Sequence, residues 1–239
     1  MDLDVLTRLN DARRQRRAAI RVCDLTSGDE RLVLEQDVAA DDPLHDELVA
    51  RFRSGKSGVI ETEAGKLFLT VHVPPPKIVV IGAAHISQAL APMARIAGFD
   101  IVIIDPRTAF ATEERFAGTP VLAEWPQDVV PAKITLDGYT ALVAVTHDPK
   151  IDDWPIAEAL RSGCFYVGAL GSRKTHAKRI ERLAASGIGE ADIARIAAPI
   201  GLNIGAQSPA EIAVSILAQV IEALRLRPAH LRAPSGEIA

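Results

Sequence analysis

Three short stretches of this sequence carry residue types able to do chemistry, and each follows an apolar run of the kind that forms a strand. The first is Gly82-Ala83-Ala84-His85-Ile86-Ser87, directly after Lys77–Ile81. This is the place of a dinucleotide-binding turn, whose full pattern G-x-G-x-x-G reads here G-x-A-x-x-S. Gly82 can make the tight turn, whereas Ala84 narrows the approach of the backbone to a pyrophosphate. Asp105 ends the next apolar run, 23 residues after Gly82, where an acidic side chain meets ribose hydroxyls. Arg107, two residues on, can pair with a phosphate instead.

The second stretch is Thr146-His147-Asp148. Thr and Asp can bond phosphate, ribose or base groups, and His147 can act as an acid or base near neutral pH. Asp148 stands before Pro149, so a turn or helix-capping role is the ordinary structural alternative. The third stretch is Gly168-Ala169-Leu170-Gly171-Ser172-Arg173-Lys174-Thr175. Gly168 and Gly171 bracket a turn, and Ser172 is placed as an N-cap. Arg173 and Lys174 then occupy the first helical turn, the wrong end for cations, at about 0.3–1 kcal/mol per uncompensated charge. A bound phosphate or pyrophosphate would compensate, because free N–H groups, the helix dipole and two cations converge on it. Residues 172–182 hold five Lys and Arg against one acid, Glu181. The alternative is a plain solvated basic helix.

The elements that must position these residues alternate. Lys77–Ile81, Asp100–Asp105, Pro120–Ala123, Tyr139–Thr146 and Phe165–Gly168 read as buried strands. Ala84–Ala97, which contains Pro92, Ile156–Ser162 and Arg173–Ser186 read as helices between and after them. The expected fold class is α/β, a Rossmann-like doubly wound parallel sheet with helices on both faces. In such a sheet ligands bind beyond the carboxyl ends of the strands, near the switch in strand order. If the strand before Thr146 neighbours Lys77–Ile81, His147 and Asp148 lie in that crevice.

Pro74-Pro75-Pro76 marks a linker, since three prolines continue neither a helix nor a central strand. The expected organisation is a small α+β N-terminal domain over 1–73, the Rossmann-like domain over 74–228 and a C-terminal tail over 229–239. The first domain has a helix with Leu3, Leu6 and Leu9 at helical spacing, followed by Arg13, Arg14, Arg16 and Arg17. Strand-like runs follow at Ala18–Val22, Leu32–Leu34, Val59–Glu61 and Leu67–Val73, the last two as a hairpin, with a helix over Asp42–Phe52. Near the end of the chain, Ser208-Pro209-Ala210-Glu211 is a capping box. The helix it opens, to about Leu226, is apolar around most of its girth, which points to the core or a subunit interface. A homodimer is expected on that ground and on the small size of the first domain.

Composition narrows the functional classes. Of 239 residues 48% are apolar and 24% charged, the balance of a globular protein rather than a disordered one. The net charge of −4 removes a broad drive toward nucleic acid. No apolar run approaches the roughly 18 residues of a membrane span, and Asp2 and Asp4 open no signal core. Cys23 and Cys164 are too few and too far apart for a disulfide framework or a four-cysteine zinc site, so a reducing, cytoplasmic setting is expected. Cys164 opens a buried strand, where an inert core thiol is the simpler reading. No cluster has metal-ligand spacing, and no catalytic triad can be read.

The ordered set of motifs resembles the xanthine dehydrogenase accessory protein family (XdhC/CoxI). The residues that carry the resemblance are Pro-x-Lys77 through His85, Gly98 through Arg107, Phe110–Phe116, Thr146-His147-Asp148, Gly168–Thr175, Pro199–Gly205 and Ser208–Glu211, together covering about residues 74–226. The resemblance implies a chaperone-like protein. It would bind molybdenum cofactor as molybdopterin or its dinucleotide form, assist its sulfuration with a cysteine desulfurase, and pass it to a molybdenum hydroxylase. Two departures stand out. The family's Gly-Ala-Gly-His turn reads Gly82-Ala83-Ala84-His85, and nothing in residues 1–73 matches the glycine-rich N-terminal segment of longer members.

The leading expectation is therefore a cofactor-binding maturation factor without catalytic residues of its own, its site formed by Gly82, Ala84, His85, Asp105, Arg107, Thr146, His147, Asp148, Gly171, Ser172, Arg173 and Lys174. The alternative is an NAD(P)-dependent oxidoreductase with His147 as acid or base. A third reading is a nucleotide-sensing regulatory domain.

Overall fold

The computed structural model describes residues 2–63 and 65–226 of the chain. They divide between Pro74 and Pro75 into two compact units. The expected tail, 229–239, and the last residues of the expected second domain lie outside the described residues.

The first unit contains α1 (Leu3–Arg14), β1 (Ala19–Asp24), β2 (Glu30–Leu34), α2 (His45–Ser54), β3 (Gly58–Thr62) and β4 (Gly65–His72). Its strands form an antiparallel sheet in the order β2-β1-β4-β3. Asp2 caps α1 by accepting the Asp4 N–H at 3.0 Å, and Arg13 and Arg14 lie in its last turn, where the dipole favours them. The buried stripe of α1 is Val5, Leu9 and Ala12, packed with Ala19 and Leu32, while Leu3 and Leu6 face solvent. The Leu3-Leu6-Leu9 spacing thus identified the helix but not its inner face. The helix expected from Asp42 begins later, at His45. Asp42 is held instead by the guanidinium of Arg31, at 2.6 and 2.9 Å, and accepts the Leu44 N–H.

The second unit contains β5 (Lys77–Ile81), α3 (His85–Ile96), β6 (Asp100–Ile104), β7 (Val121–Leu122), α4 (Pro126–Val129), β8 (Thr140–Ala144), α5 (Pro149–Arg161), β9 (Tyr166–Ala169), α6 (Arg173–Ala185), α7 (Glu190–Ile193), β10 (Ile196–Ala197) and α8 (Pro209–Leu226). The six strands form a parallel sheet in the order β10-β9-β8-β5-β6-β7. The chain runs from β5 outward through β6 and β7, then returns to the other side of β5 for β8, β9 and β10. The architecture is the doubly wound α/β fold expected from the alternation of elements, beside a separate small antiparallel sheet. The central strands are buried on both faces. Ile78–Ile81 and Ala141–Ala144 have no exposed surface, which is why they read as unbroken apolar runs.

α3 forms over nearly the span expected and runs through Pro92 to Ile96, with Pro92 on the exposed face and Ile86, Leu90 and Ala94 in the core. Another helix differs from its sequence-based expectation. α5 begins at Pro149, seven residues before the expected Ile156. Asp148 caps it by accepting the Lys150 N–H at 3.0 Å, and Pro149 fills the first helical position. This longer helix places Asp152 and Asp153 in its first two turns. The capping box forms as read, with Ser208 Oγ accepting the Glu211 N–H at 3.2 Å and Glu211 accepting the Ser208 N–H at 3.0 Å.

Candidate functional site

β5 pairs directly with β8, Ile81 opposite Ala144, so the switch in strand order falls between them. The turn after β5 and the loop after β8 meet at this point. Gly82 has φ +116° and donates its N–H to Ile104 at 2.8 Å. A Cβ there would stand 2.8 Å from Thr146 Cγ2 and 3.2 Å from the Thr146 N. Only glycine permits both this backbone conformation and this approach. Beyond it Ala84 stands at the N-cap of α3 with no side-chain hydrogen bond, and His85 is exposed in the first turn. The first amides of α3 thus carry no side-chain cap, whereas α5 is capped by Asp148 and α6 by Ser172.

Asp105 lies at the end of β6 but is turned inward, with no exposed surface. One oxygen accepts the Ala83 N–H at 2.8 Å and Arg107 Nη2 at 2.7 Å, and the other accepts the Arg107 N–H and Nε at 2.9 Å each. Burial disfavours its charge, but the Arg107 guanidinium and the backbone N–H groups outweigh burial and hold the carboxyl below its ordinary value. Its four hydrogen bonds already occupy the lone pairs a ribose diol would use. Arg107 in turn lies over the Phe110 ring at 4.9 Å.

After β8, Thr146 is a hub. Its hydroxyl donates to Asp152 Oδ1 at 2.7 Å and accepts the Asp148 N–H at 3.0 Å. Between them His147 is exposed with φ +65°, a conformation uncommon for a residue with a side chain and one that clusters at functional sites. After β9, Gly171 has φ +140° and leads to Ser172, which accepts the Thr175 N–H at 3.2 Å as the N-cap of α6. Arg173 and Lys174 are exposed in the first turn and have no ion-pair partner among the described residues.

Asp152 and Arg179 form a second layer that sequence reading missed. Asp152 has no exposed surface and Arg179 only 2%, and their nearest charged atoms are 4.0 Å apart. Arg179 Nη2 donates to the Leu170 carbonyl at 3.2 Å, just before the α6 turn. Asp152 Oδ2 and the Nε and Nη1 of Arg179 are buried without a hydrogen bond. Burial pushes the Asp152 carboxyl up to about 6, against the Thr146 hydroxyl and Arg179. A signal did exist in the sequence. Asp152 follows Ile151 on the inner stripe of α5, and Arg179 stands four residues before Leu183 on that of α6, where an apolar residue is the norm.

This shift has a stability consequence. Asp152 titrates at 3.8 in the unfolded reference and near 6 in the fold, so the folded chain binds more protons in that interval and loses stability as the pH rises through it. Asp152→Asn does not titrate. The melting temperature of the native chain minus that of Asp152→Asn should fall between about pH 4 and about pH 7. A difference that stays constant across thermal scans in this range contradicts the assignment.

Cys164 is fully buried, and its thiol is pushed up to about 12 by burial. Among the described residues no three His, Cys, Asp or Glu side chains gather to share a metal ion, and no helix is long and apolar enough to cross a membrane.

The family described as the XdhC Rossmann domain matches residues 78–220, which contain the turns after β5, β8 and β9. The chain belongs to the XdhC family. It is 31% identical over 183 residues to the uncharacterized protein YqeB of Escherichia coli, covering 72% of this chain and 32% of that one. It is 29% identical over 157 residues to a probable xanthine dehydrogenase subunit of Bacillus subtilis, covering 65% and 45%. It is 28% identical over 148 residues to the molybdenum cofactor insertion chaperone PaoD of E. coli, covering 62% and 40%. The matched part of each of these relatives is less than half of its length. A crystal structure described as a xanthine dehydrogenase from Bacillus halodurans shares the fold, with a TM-score of 0.61 at 23% identity, covering 95% of this chain and 66% of that one.

Proposed function

We propose that this XdhC-family chain binds molybdenum cofactor as cargo in the crevice between the β5, β8 and β9 turns and serves, in the cytoplasm, as a maturation factor for a molybdenum hydroxylase. The observations that support the reading are an uncapped helix N-terminus at Ala84–His85, after β5, and two exposed cations, Arg173 and Lys174, in the first turn of α6, after β9, on the same carboxyl edge of the sheet of an XdhC domain. These groups fit a phosphate or pyrophosphate, which the cofactor supplies. Gly82, Gly171 and Ser172 shape the two turns that present them, and Thr146, His147 and Asp148 line the crevice between. Asp105 supports the first turn from behind and presents Arg107 beside it.

The donor set does not suit the metal end of the cofactor, because the second unit offers no exposed thiol and no cluster of ligating side chains among the described residues. In this reading a partner cysteine desulfurase supplies the sulfur, and the chain holds and protects the cargo. The NAD(P)-dependent alternative loses its main support, since the Asp105 carboxylate is committed to Ala83 and Arg107. The reading includes a homodimer. Met93, Ile96 and Ala97 of α3 and Val214, Leu217 and Ile221 of α8 line an apolar groove of about 400 Å³ that a second copy can fill.

Native purification followed by mass spectrometry of the released ligand tests the proposal. A molybdopterin in near-stoichiometric amount is expected from cells that make the cofactor. Recovery of a nicotinamide nucleotide in its place reverses the choice between the two readings.

A further inference from the structure

We infer that Asp152 is a charge-sensing positioning residue, which takes up a proton from solvent when a phosphate-bearing ligand enters the crevice. The inference rests on the phosphate reading given above and adds a coupling that the reading does not require.

The geometry is that of a carboxylate with an incomplete set of partners. Oδ1 receives the Thr146 hydroxyl, but Oδ2 is buried with no hydrogen bond and faces Arg179 across 4.0 Å. The charged groups around it come from each neighbouring element. α6 supplies Arg179, with His176 one turn earlier and Arg182 one turn later. α5 itself supplies Asp153, which binds Arg182 at 2.5 and 3.1 Å and stands 3.7 Å from Arg179 Nε, and its cap, Asp148. From the loop after β6, Arg107 feels the charge of both Asp148 and Asp152. Arg179 is therefore shared between two carboxylates, and Asp152 holds the weaker share.

An anion on the α6 turn changes this balance. The Leu170 carbonyl that receives Arg179 Nη2 lies next to Gly171 and Ser172, so the arriving charge competes with Asp152 for the same guanidinium. Each added negative charge within about 8 Å makes ionisation of a buried carboxyl roughly tenfold harder or more. Asp152 starts near 6, mostly ionised at neutral pH, and is carried past the midpoint. The proton comes from buffer and rests on Oδ2, the oxygen that has no hydrogen-bond partner. The Thr146 hydroxyl keeps its bond to Oδ1 throughout. The Thr146–Asp148 turn, with His147 in its left-handed conformation, therefore holds its shape while the charge beneath it changes.

Calorimetric titration of the full chain with inorganic pyrophosphate, at pH 7 in two buffers of different ionisation enthalpy, reads the coupling directly. The native chain should take up about half a proton more per pyrophosphate than Asp152→Asn, the probe's own titration being common to both. Near pH 5 the excess should vanish, because Asp152 is then already protonated. Thr146→Val is a second variant should Asp152→Asn fail to fold. It removes the hydrogen bond that favours the charged form, so Asp152 is protonated before binding and the excess should shrink. Binding with equal proton uptake by the native chain and the variant that folds overturns the inference and leaves the phosphate site standing. Failure of the native chain to bind pyrophosphate overturns both.

Discussion

Replacing Arg173 and Lys174 together by alanine should weaken binding of pyrophosphate or molybdopterin by roughly 10–100-fold, the range for losing two charge-assisted contacts at a helix N-terminus. The fold should be unaffected. Both side chains are exposed, Ser172 still caps α6, and removing cations from the positive end of the dipole relieves a small repulsion. The double variant is therefore expected to melt at or slightly above the temperature of the native chain while it binds less ligand. That opposition separates a binding role from a structural one. Isothermal titration measures the affinity and a thermal scan the stability. Affinity unchanged within error removes the anion site from α6, and a large drop in melting temperature shows that the two cations have structural partners. Raising the salt concentration should weaken binding by the native chain more than by the double variant, since exposed charges are screened within about 8–10 Å.

Gly82→Ala should have the larger effect on the fold. Its Cβ would meet Thr146 Cγ2 at 2.8 Å, closer than real Cβ contacts, with the Thr146 N at 3.2 Å and the carbonyl carbon of Val145 at 3.3 Å. The two backbone atoms belong to the segment directly after the central strand β8 and cannot yield as a flexible side chain can. The φ of +116° adds strain of its own, so a loss of about 3 kcal/mol is expected from backbone conformation and overpacking together. In a chain of this size that lowers the melting temperature by roughly 6–12 °C. The same push moves Thr146, so ligand binding should fall with stability. A melting temperature within a degree or two of the native value means that the β5 turn can open away from β8, and the close approach described here is then not obligatory.

Much of this arrangement could be read from the chain alone, for reasons that are local. Lys77–Ile81 and Tyr139–Thr146 announce buried parallel strands because a strand covered on both faces is built from a nearly continuous apolar run. The Ser208–Glu211 box and the Ser172 cap form as read because a helix N-terminus is completed within four residues of sequence. The cationic first turn of α6 stands out because a dipole has the same sign wherever the helix sits.

Other features depend on what the residues meet after folding. Asp105 has the position of a ribose-binding acid, yet its carboxylate is claimed by Arg107 and the Ala83 N–H, a competition that spacing does not record. The helix α1 was visible in its leucines, but the sheet beneath chose Val5, Leu9 and Ala12 as the inner face. Asp152 and Arg179 lie 27 residues apart, and in sequence each is one more charge on a helix. Only the packing of α5 against α6, behind the β8 and β9 turns, buries them 4.0 Å from each other, removes the water that would mask their charges, and makes one carboxyl respond to what binds in front of it. Local pattern thus marks the central strands, two of the helix caps and the family, whereas burial and long-range partners, which set the energy of a charge, exist only in the folded chain.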